Sequence, residues 1–446
     1  MKDLIKKFIP EWLLNLYHLI LAFLGALVYR FPSRLRPPFA KASAGKQGYG
    51  GQAKKLKVIG VTGTNGKTTV VEMISKIFEE TGYKVALVNS IRFKIGKKEW
   101  PNELRMTMPG RFKLQRFLRE AVDSGCKFAV LEVTSEGIKQ YRHKFIDFEV
   151  AIFTNLTPEH IEAHGSFGKY RGTKGRLFQA TKNIHVINID DENAEYFLQF
   201  PAKKKYTYGL NKGDIDNRDL QLNLQLIGNF NIYNALAAIC AGLSQGISLE
   251  KCKEVIEKIE GIPGRMELVI SEPFKVFVDY AFTPNALRKV YETLLKSKIK
   301  NRVSIYGNDG EEENGVFFAH QKSKMICVLG SCGGGRDKWK RPVLGSLAAK
   351  YCDEVIVTNE DPYDEDPHQI LSEIKSGIFK SQFPISNFYE ILDRRQAIRK
   401  SLELAKTGDT VVITGKGCEP SICIAGGKKI PWDDRKVVKE EFQNLD

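Results

Sequence analysis

The run Val58 to Val70, VIGVTGTNGKTTV, gathers the residue types that hold a polyphosphate. Val58, Ile59 and Val61 predict a short strand. Gly63, Thr64, Asn65 and Gly66 follow as a permissive turn, and Lys67, Thr68 and Thr69 open a helical pattern that continues through Met73, Ile74 and Ile77. In such a turn backbone N–H groups converge on phosphate oxygens, the helix adds its positive end, a lysine neutralises charge and a hydroxyl holds Mg²⁺. The spacing departs from G-x-x-x-x-G-K-[ST] because Val61 stands at the first glycine position. Further on, the apolar run Phe128 to Val133 carries Glu132 at its end, where open α/β sheets place ligands and a carboxylate can serve a nucleotide's Mg²⁺. His160 and His164, four residues apart, suit one helical face. Zinc is one reading of that spacing, but there is no H-E-x-x-H and no evident third ligand, so the spacing alone leaves the pair open.

These residues need strands and helices to position them, and the chain supplies both in alternation. Short apolar runs at Lys84 to Asn89, Phe128 to Val133 and Val150 to Phe153 are followed, beyond Ile262-Pro263-Gly264, by runs at Val276 to Val278, Met325 to Leu329, Glu354 to Val357 and Thr410 to Ile413. Helical stretches separate them, the βαβ rhythm of doubly wound sheets. The expected architecture is α/β: an ATP-binding phosphate-loop domain over 56–261 and a Rossmann-like domain over 262–446. Residues 306–321, rich in Gly, Asp, Glu and Asn, read as a loop insertion without an assigned function.

Ahead of this, residues 1–36 centre on the strongly apolar Trp12 to Val28, flanked by Lys6 and Lys7 before it and Arg30, Arg34 and Arg36 after it. Asn15, His18, Ala22, Gly25 and Tyr29 recur at offsets of three and four and share one helical face. That suits an interfacial helix, a tilted span or a helix docked on its own protein, and no A-x-A cleavage site follows. Residues 37–55 read as a flexible linker. The 446 residues carry a net charge of +15, favouring phosphorylated ligands, nucleic acid or an anionic membrane, of which the solvated linker gives little reason to choose nucleic acid. Eight cysteines without a C-x-x-C pair suggest neither a zinc ribbon nor a disulfide framework, in keeping with a reducing cytoplasm.

Read in order, VTGTNGKTT, EVTSEG, FTNLTPEHIEAHG, YRGTK, GNFNIYNALAA, GRME, VDYAFTPNAL, GGGRDKWKRP and GKGCE resemble the Mur ligase family over roughly residues 56 to 446, and within it the ligases that add the third residue of the peptide. The resemblance implies an ATP-dependent amide ligase of peptidoglycan precursor synthesis, working as a monomer with ATP and Mg²⁺. ATP phosphorylates the acceptor carboxylate of UDP-N-acetylmuramoyl-L-alanyl-D-glutamate, and an amino acid's amine attacks the acyl phosphate. It implies that Gly63 to Thr69 hold the ATP phosphates, that Thr68 and Glu132 serve Mg²⁺, that His160 belongs to a second metal site, and that Lys174 is carried as a metal-binding carbamate. Asn231 and Asn234 fall at the adenine region, Arg265 at a phosphate contact and Asp279 near the ribose. Thr107, Thr134 and Arg142 match acceptor positions; Arg336, Asp361, Tyr363, Gly415 and Glu419 match the amino-acid side.

Several residues depart from the family pattern. Thr134 and Glu136 replace Ser and His, Phe282 replaces His in Y-A-H-T-P, and Cys418 replaces His in GKGCE, where it reads as an inert residue. Lys338, Lys340 and Arg341 read as solvated charge. At residues 360–363 the chain has Glu-Asp-Pro-Tyr where diaminopimelate-adding members have Asp-Asn-Pro-Arg. Tyr363 for Arg removes the fork for a distal carboxylate, and Asp361 with its acidic neighbours is expected to favour a distal ammonium such as that of lysine. The phosphate loop starts too early for the family's separate uridine-binding domain, which puts the acceptor, UDP-linked or lipid-linked, in question. The competing readings are a folylpolyglutamate-synthetase-like ligase and a nonenzymatic nucleotide-binding protein tethered to the membrane's inner face through residues 12–28.

Overall fold

The computed structural model describes residues 10–34, 55–104, 106–305, 323–383 and 387–445, with the side chains of 297–300 and of 301–305 left aside. The expected insertion at 306–321 and nearly all of the expected linker lie outside the described residues. The chain divides into two compact units: described residues up to Gln225 with Phe230–Glu260, and Leu226–Asn229 with the residues from Gly261 onward.

The first unit is built on nine strands: β1 (Lys57–Thr62), β2 (Val85–Val88), β3 (Arg92–Ile95), β4 (Lys98–Pro101), β5 (Phe128–Glu132), β6 (Phe148–Phe153), β7 (Ile184–Asn188), β8 (Lys204–Gly209) and β9 (Ile215–Asp216). Their order is β4-β3-β2-β5-β1-β6-β7-β8-β9, parallel except for the β2-β3-β4 meander at one edge. β1 sits between β5 and β6, with Val61 opposite Glu132 and Thr62 opposite Phe153. β5 is buried along its whole length, the mark of a strand covered on both faces, which is why it reads as an unbroken apolar run rather than an alternation. The helix Lys67–Glu80 packs on this sheet, and Phe78 stacks on Phe128 with ring centroids 4.0 Å apart. Because β1, β5 and β6 are parallel, their C-terminal ends open on one edge, where the loops after them meet.

The second unit carries β10 (Glu267–Ile270), β11 (Lys275–Asp279), β12 (Met325–Leu329), β13 (Glu354–Val357), β14 (Asn387–Glu390) and β15 (Thr410–Thr414), ordered β10-β11-β15-β12-β13-β14. Only the edge pair β10-β11 is antiparallel. A hairpin of β16 (Ser421–Cys423) and β17 (Lys429–Pro431) follows. The strand order reverses between β15 and β12, which again places ligand positions at the carboxyl ends of the central strands.

The N-terminal segment is a helix, Glu11–Val28, docked on the first unit. Ala22, Gly25 and Ala26 are buried against the helix Arg111–Asp123, so much of the small-residue face meets protein while the opposite face stays exposed.

Candidate functional site

At the C-terminal edge of the first sheet the loop Gly63–Gly66 turns from β1 into the helix Lys67–Glu80. Gly66 adopts φ +82°, and a Cβ there would stand 2.3 Å from Asn234 Oδ1, so only glycine closes this turn without displacing a neighbour. The loop is laced to the segment after β6. Asn65 N–H donates to Asn155 Oδ1 at 3.0 Å, and Asn155 Nδ2 and Thr154 Oγ1 donate to Asn65 O at 3.1 and 2.7 Å. Thr64 N–H donates to Asn155 O, and its hydroxyl lies 3.2 Å from Tyr170 Oη. The loop is thus held in shape by protein contacts, a preorganised turn at a helix N-terminus.

Around the first helical turn the oxygen groups converge. Thr68 Oγ1 donates to Glu132 Oε2 at 2.8 Å, Ser90 Oγ is 2.8 Å from Thr68 Oγ1, and Ser90 N–H donates to the same carboxylate oxygen at 3.1 Å. Lys67 Nζ donates to Thr64 O at 2.8 Å and lies 3.8 Å from Glu132 Oε1. Thr69 is buried beneath. Ser90 escaped the reading of the sequence; the available signal was its place just after a strand whose end opens on the same sheet edge. Among the described residues no three His, Cys, Asp or Glu side chains gather as a metal site. One carboxylate with hydroxyls nonetheless fits Mg²⁺, which takes one or two protein carboxylates and completes its shell with phosphate and water oxygens.

Lys174 enters the same neighbourhood from the helix Phe167–Ala180. It is 1% exposed, its Nζ donates to Gly63 O at 2.7 Å and it lies over the Tyr170 ring. Burial, with Lys67 adding repulsion and only Glu132 opposing, pushes this ammonium well below the usual lysine range. His160 sits in the left-handed region at φ 58°, immediately before the short helix Ile161–His164, and the rings of His160 and His164 lie 6.0 and 5.2 Å from that of Tyr170. Tyr170 therefore links the histidine segment, Lys174 and Thr64. In the helix Asn229–Ser244, Asn234 Nδ2 donates to Asn231 Oδ1 at 3.1 Å, and both side chains are buried.

Of the residues matched to the acceptor, Thr134 caps the helix Ser135–Lys139 through Gly137 N–H at 3.1 Å. Arg142 is buried and donates to Met108 O and, at 2.6 Å, to Gln140 Oε1. Burial and Arg111 lower the Arg142 guanidinium to about 10. Thr107 is half-buried beside Met108, so Arg142 and the Thr107 segment meet.

In the second unit, Asp279 ends β11 and accepts from the N–H groups of Met266 and Ala281, both at 2.7 Å; burial, partly offset by Arg265, raises its carboxyl. Arg265 stacks over Tyr280, 4.2 Å from the ring centroid. Beyond β15, Gly415 N–H donates to Asp279 O, and Lys416, 1% exposed, donates to Asp361 Oδ2 at 2.9 Å and Glu419 Oε2 at 2.5 Å. Glu419 also accepts from Tyr280 Oη at 2.6 Å. Lys416 is the second residue that sequence reading missed, although it lies inside GKGCE.

Two expectations change here. Asp361 is turned inward: Lys416 holds one oxygen and Cys423 N–H, at 2.7 Å, the other, so both oxygens are already engaged within the protein. The acids beside it are engaged as well, Asp364 with Gly426 N–H and Glu365 with Arg341. Lys340 and Arg341 are likewise buried rather than solvated. Arg341 donates to Glu365 and Glu373 at 2.8 and 2.7 Å, and Lys340 covers the Phe282 ring. Of the cations in that stretch, Arg336 and Lys338 are the exposed ones. Tyr363, at φ 53°, lays its ring against Gly334 in the loop that carries Arg336. Burial pushes the Cys418 thiol up to about 11, which leaves it unreactive near neutral pH.

Comparison with known proteins decides what these two sheets belong to. The Mur ligase middle domain matches residues 61–242, and the Mur ligase glutamate ligase domain matches residues 316–417. The UDP-N-acetylmuramoyl-L-alanyl-D-glutamate–2,6-diaminopimelate ligase of Syntrophomonas wolfei is 38% identical over 416 residues, covering 88% of this chain and 79% of its own. The chain belongs to the Mur ligase family. The UDP-N-acetylmuramyl-tripeptide synthetase of Roseiflexus is 32% identical over 434 residues, covering 89% of this chain and 80% of its own. A solved diaminopimelate ligase superimposes with a TM-score of 0.55 at 31% identity, over 88% of this chain and 79% of that one. Folylpolyglutamate synthase from Mycobacterium tuberculosis reaches 0.61 at 16% identity, over 89% and 92%, a likeness of fold alone. The chain is therefore an ATP-dependent, ADP-forming acid–amino-acid ligase of peptidoglycan synthesis, in the branch that adds the third residue, and the nonenzymatic reading is set aside.

Proposed function

We propose that this Mur ligase joins a diamino acid, lysine in first place, to UDP-N-acetylmuramoyl-L-alanyl-D-glutamate, with ATP and Mg²⁺, as a monomer in the cytoplasm. The acceptor carboxylate attacks the γ-phosphorus of ATP, releasing ADP; the amine then attacks the acyl carbon, and phosphate leaves with the proton lost from nitrogen. Both steps call mainly for positioning and neutralisation of charge. In this reading the N–H groups of Gly63 to Thr69 cradle the phosphates and Lys67 turns from Thr64 O to the transferred group. Bound Mg²⁺ supplies charge neutralisation; Thr68 and Glu132, with Ser90 orienting both, would hold it, and His160 would serve a second metal. Asn231 and Asn234 belong to adenine, Arg265 and Asp279 to phosphate and ribose. Thr107, Thr134 and Arg142 take the acceptor, and Arg336, Tyr363, Gly415 and Glu419 the amino acid.

Lys174 carries the carbamate assignment. Burial and the neighbouring Lys67 disfavour the ammonium form, and the free amine is nucleophilic. It can add to CO₂, forming an N–C bond, releasing one proton and leaving an anion next to Lys67.

The observation that favours lysine is Tyr363 at the arginine position, since an aromatic ring offers a distal carboxylate no paired donors. Asp361 plays a structural part in this version, holding Lys416. Mass spectrometry of ATP-dependent ligation, crossing the UDP-linked dipeptide and its lipid-linked form with lysine, ornithine and diaminopimelate, tests it. Faster addition of lysine supports the reading, and diaminopimelate added much faster than lysine overturns it. The substitution Tyr363→Arg is expected to move preference toward diaminopimelate. The apolar segment 12–28 adds contact with the inner face of the membrane to the same reading.

A further inference from the structure

The helix Glu11–Val28 is strongly apolar, yet of its residues only Ala22, Gly25 and Ala26 are buried. Its two sides differ sharply. Trp12, Leu16, Ile20, Phe23, Leu24 and Leu27 are each at least 40% exposed. At ~100° per residue they fall within an arc of about 120°. Ala22, Gly25 and Ala26 project from the other side and are buried, Gly25 so close to Phe112 that an added Cβ would stand 3.4 Å from its Cα. The docked side is secured at both ends of its contact. His18 Nδ1 meets an Arg111 guanidinium nitrogen, and beyond the helix Ser33 Oγ accepts from Asp147 N–H at 3.0 Å.

We infer that this helix is a monotopic membrane anchor: it stays docked on the first unit and sinks its exposed apolar face into the interface of an anionic bilayer. The inference rests on the membrane contact in the functional reading and specifies its geometry. Spanning is incompatible with the docked state, because the helix beneath exposes Lys113 and Arg116, which would enter the hydrocarbon alongside it. An 18-residue helix is moreover about 27 Å long, short of a core of roughly 30 Å. Charge selects the occupant. Arg30 and Arg34 are exposed just past the helix, Lys113 and Arg116 flank it, and the whole chain is at +15, a rim that attracts acidic headgroups and repels a second copy of itself. Trp12 and Tyr17 supply the amphipathic rings that favour headgroup depth. Arg111 ties the anchor to the acceptor side, since its Nε donates to Gln140 O at 2.9 Å while Gln140 Oε1 receives Arg142.

Co-sedimentation of the full chain with phosphatidylcholine vesicles, with and without phosphatidylglycerol, tests this. Binding is expected to the anionic vesicles and to weaken at high salt. The double substitution Ile20→Asp with Leu27→Asp should weaken it about a hundredfold. Because both residues face outward, the melting temperature and the ligation of soluble acceptor should stay unchanged. Absence of vesicle binding, or equal binding by the double variant, overturns the inference. So does a concentration-dependent dimer that the double variant abolishes, or retention of the chain in membranes after carbonate extraction. Vesicle binding without any ligase product would leave the anchor standing and bring down the functional reading instead.

Discussion

Two lysines, each 1% exposed, are buried in the two units and meet opposite electrostatic fates. Lys174 has a backbone carbonyl as hydrogen-bond partner and another lysine among its neighbours. Lys416 lies between two carboxylates. Burial acts on both in the same direction, toward the neutral amine. At Lys174 it prevails and the pKa falls; at Lys416 the charges of Glu419 and Asp361 outweigh it and the pKa rises. Depth of burial alone therefore says nothing about whether a lysine is charged. The neighbours let burial push one toward the free amine and hold the other as a fixed cation that organises a loop.

Substituting each lysine should break this comparison differently. The largest effect is expected from Lys416→Met, which leaves Asp361 buried without its counter-ion and should cost about 3–5 kcal/mol of stability in the second unit. Urea denaturation checks this, and a change below 1 kcal/mol would mean the pair contributes little. Next comes Lys174→Ala, expected to lower ligation about 10²-fold, some 2.7 kcal/mol in transition-state terms, with the urea midpoint nearly unmoved. Partial recovery on adding acetate or bicarbonate would sharpen the carbamate assignment; unchanged activity would end it.

The pH dependence of stability separates the lysines by sign. Lys416 has a folded pKa above its unfolded value of about 10.4, so its contribution is complete below that value and is lost as pH rises through the folded pKa. Wild type should therefore lose stability above about pH 10.4 relative to Lys416→Met, measured by urea melts at successive pH values. Lys174 has the reverse sign: its unfolded form binds more protons, so its contribution improves as pH rises toward the same value. The smallest effect is expected from Ser90→Ala, which removes one hydroxyl from the Thr68–Glu132 pair and should cost about 1 kcal/mol, read as a several-fold rise in the Mg²⁺ needed for half-maximal activity.

Much of this was legible in the chain. The phosphate loop was readable from local residue types, glycines, a lysine and hydroxyls within one turn, although Thr154 and Asn155 about ninety positions on help to hold its shape. The strand runs were equally readable, because buried parallel strands are continuous in hydrophobicity. Offsets of three and four along the N-terminal helix identified its small-residue face. The same logic misread Lys340 and Arg341, since the acids that hold Arg341 lie 24 and 32 positions further on and the ring beneath Lys340 lies back at Phe282, and it could not show that Lys416 holds Asp361.

What the sequence by itself determined, then, is the family, the order of its elements and the position of the nucleotide loop, all carried by short contiguous motifs. What only the tertiary structure decided is the state of the charges. Lys174 meets Gly63 across 111 positions, and Lys416 meets Asp361 across 55. A pKa responds to distance in space and to loss of water, and neither quantity is written along the chain.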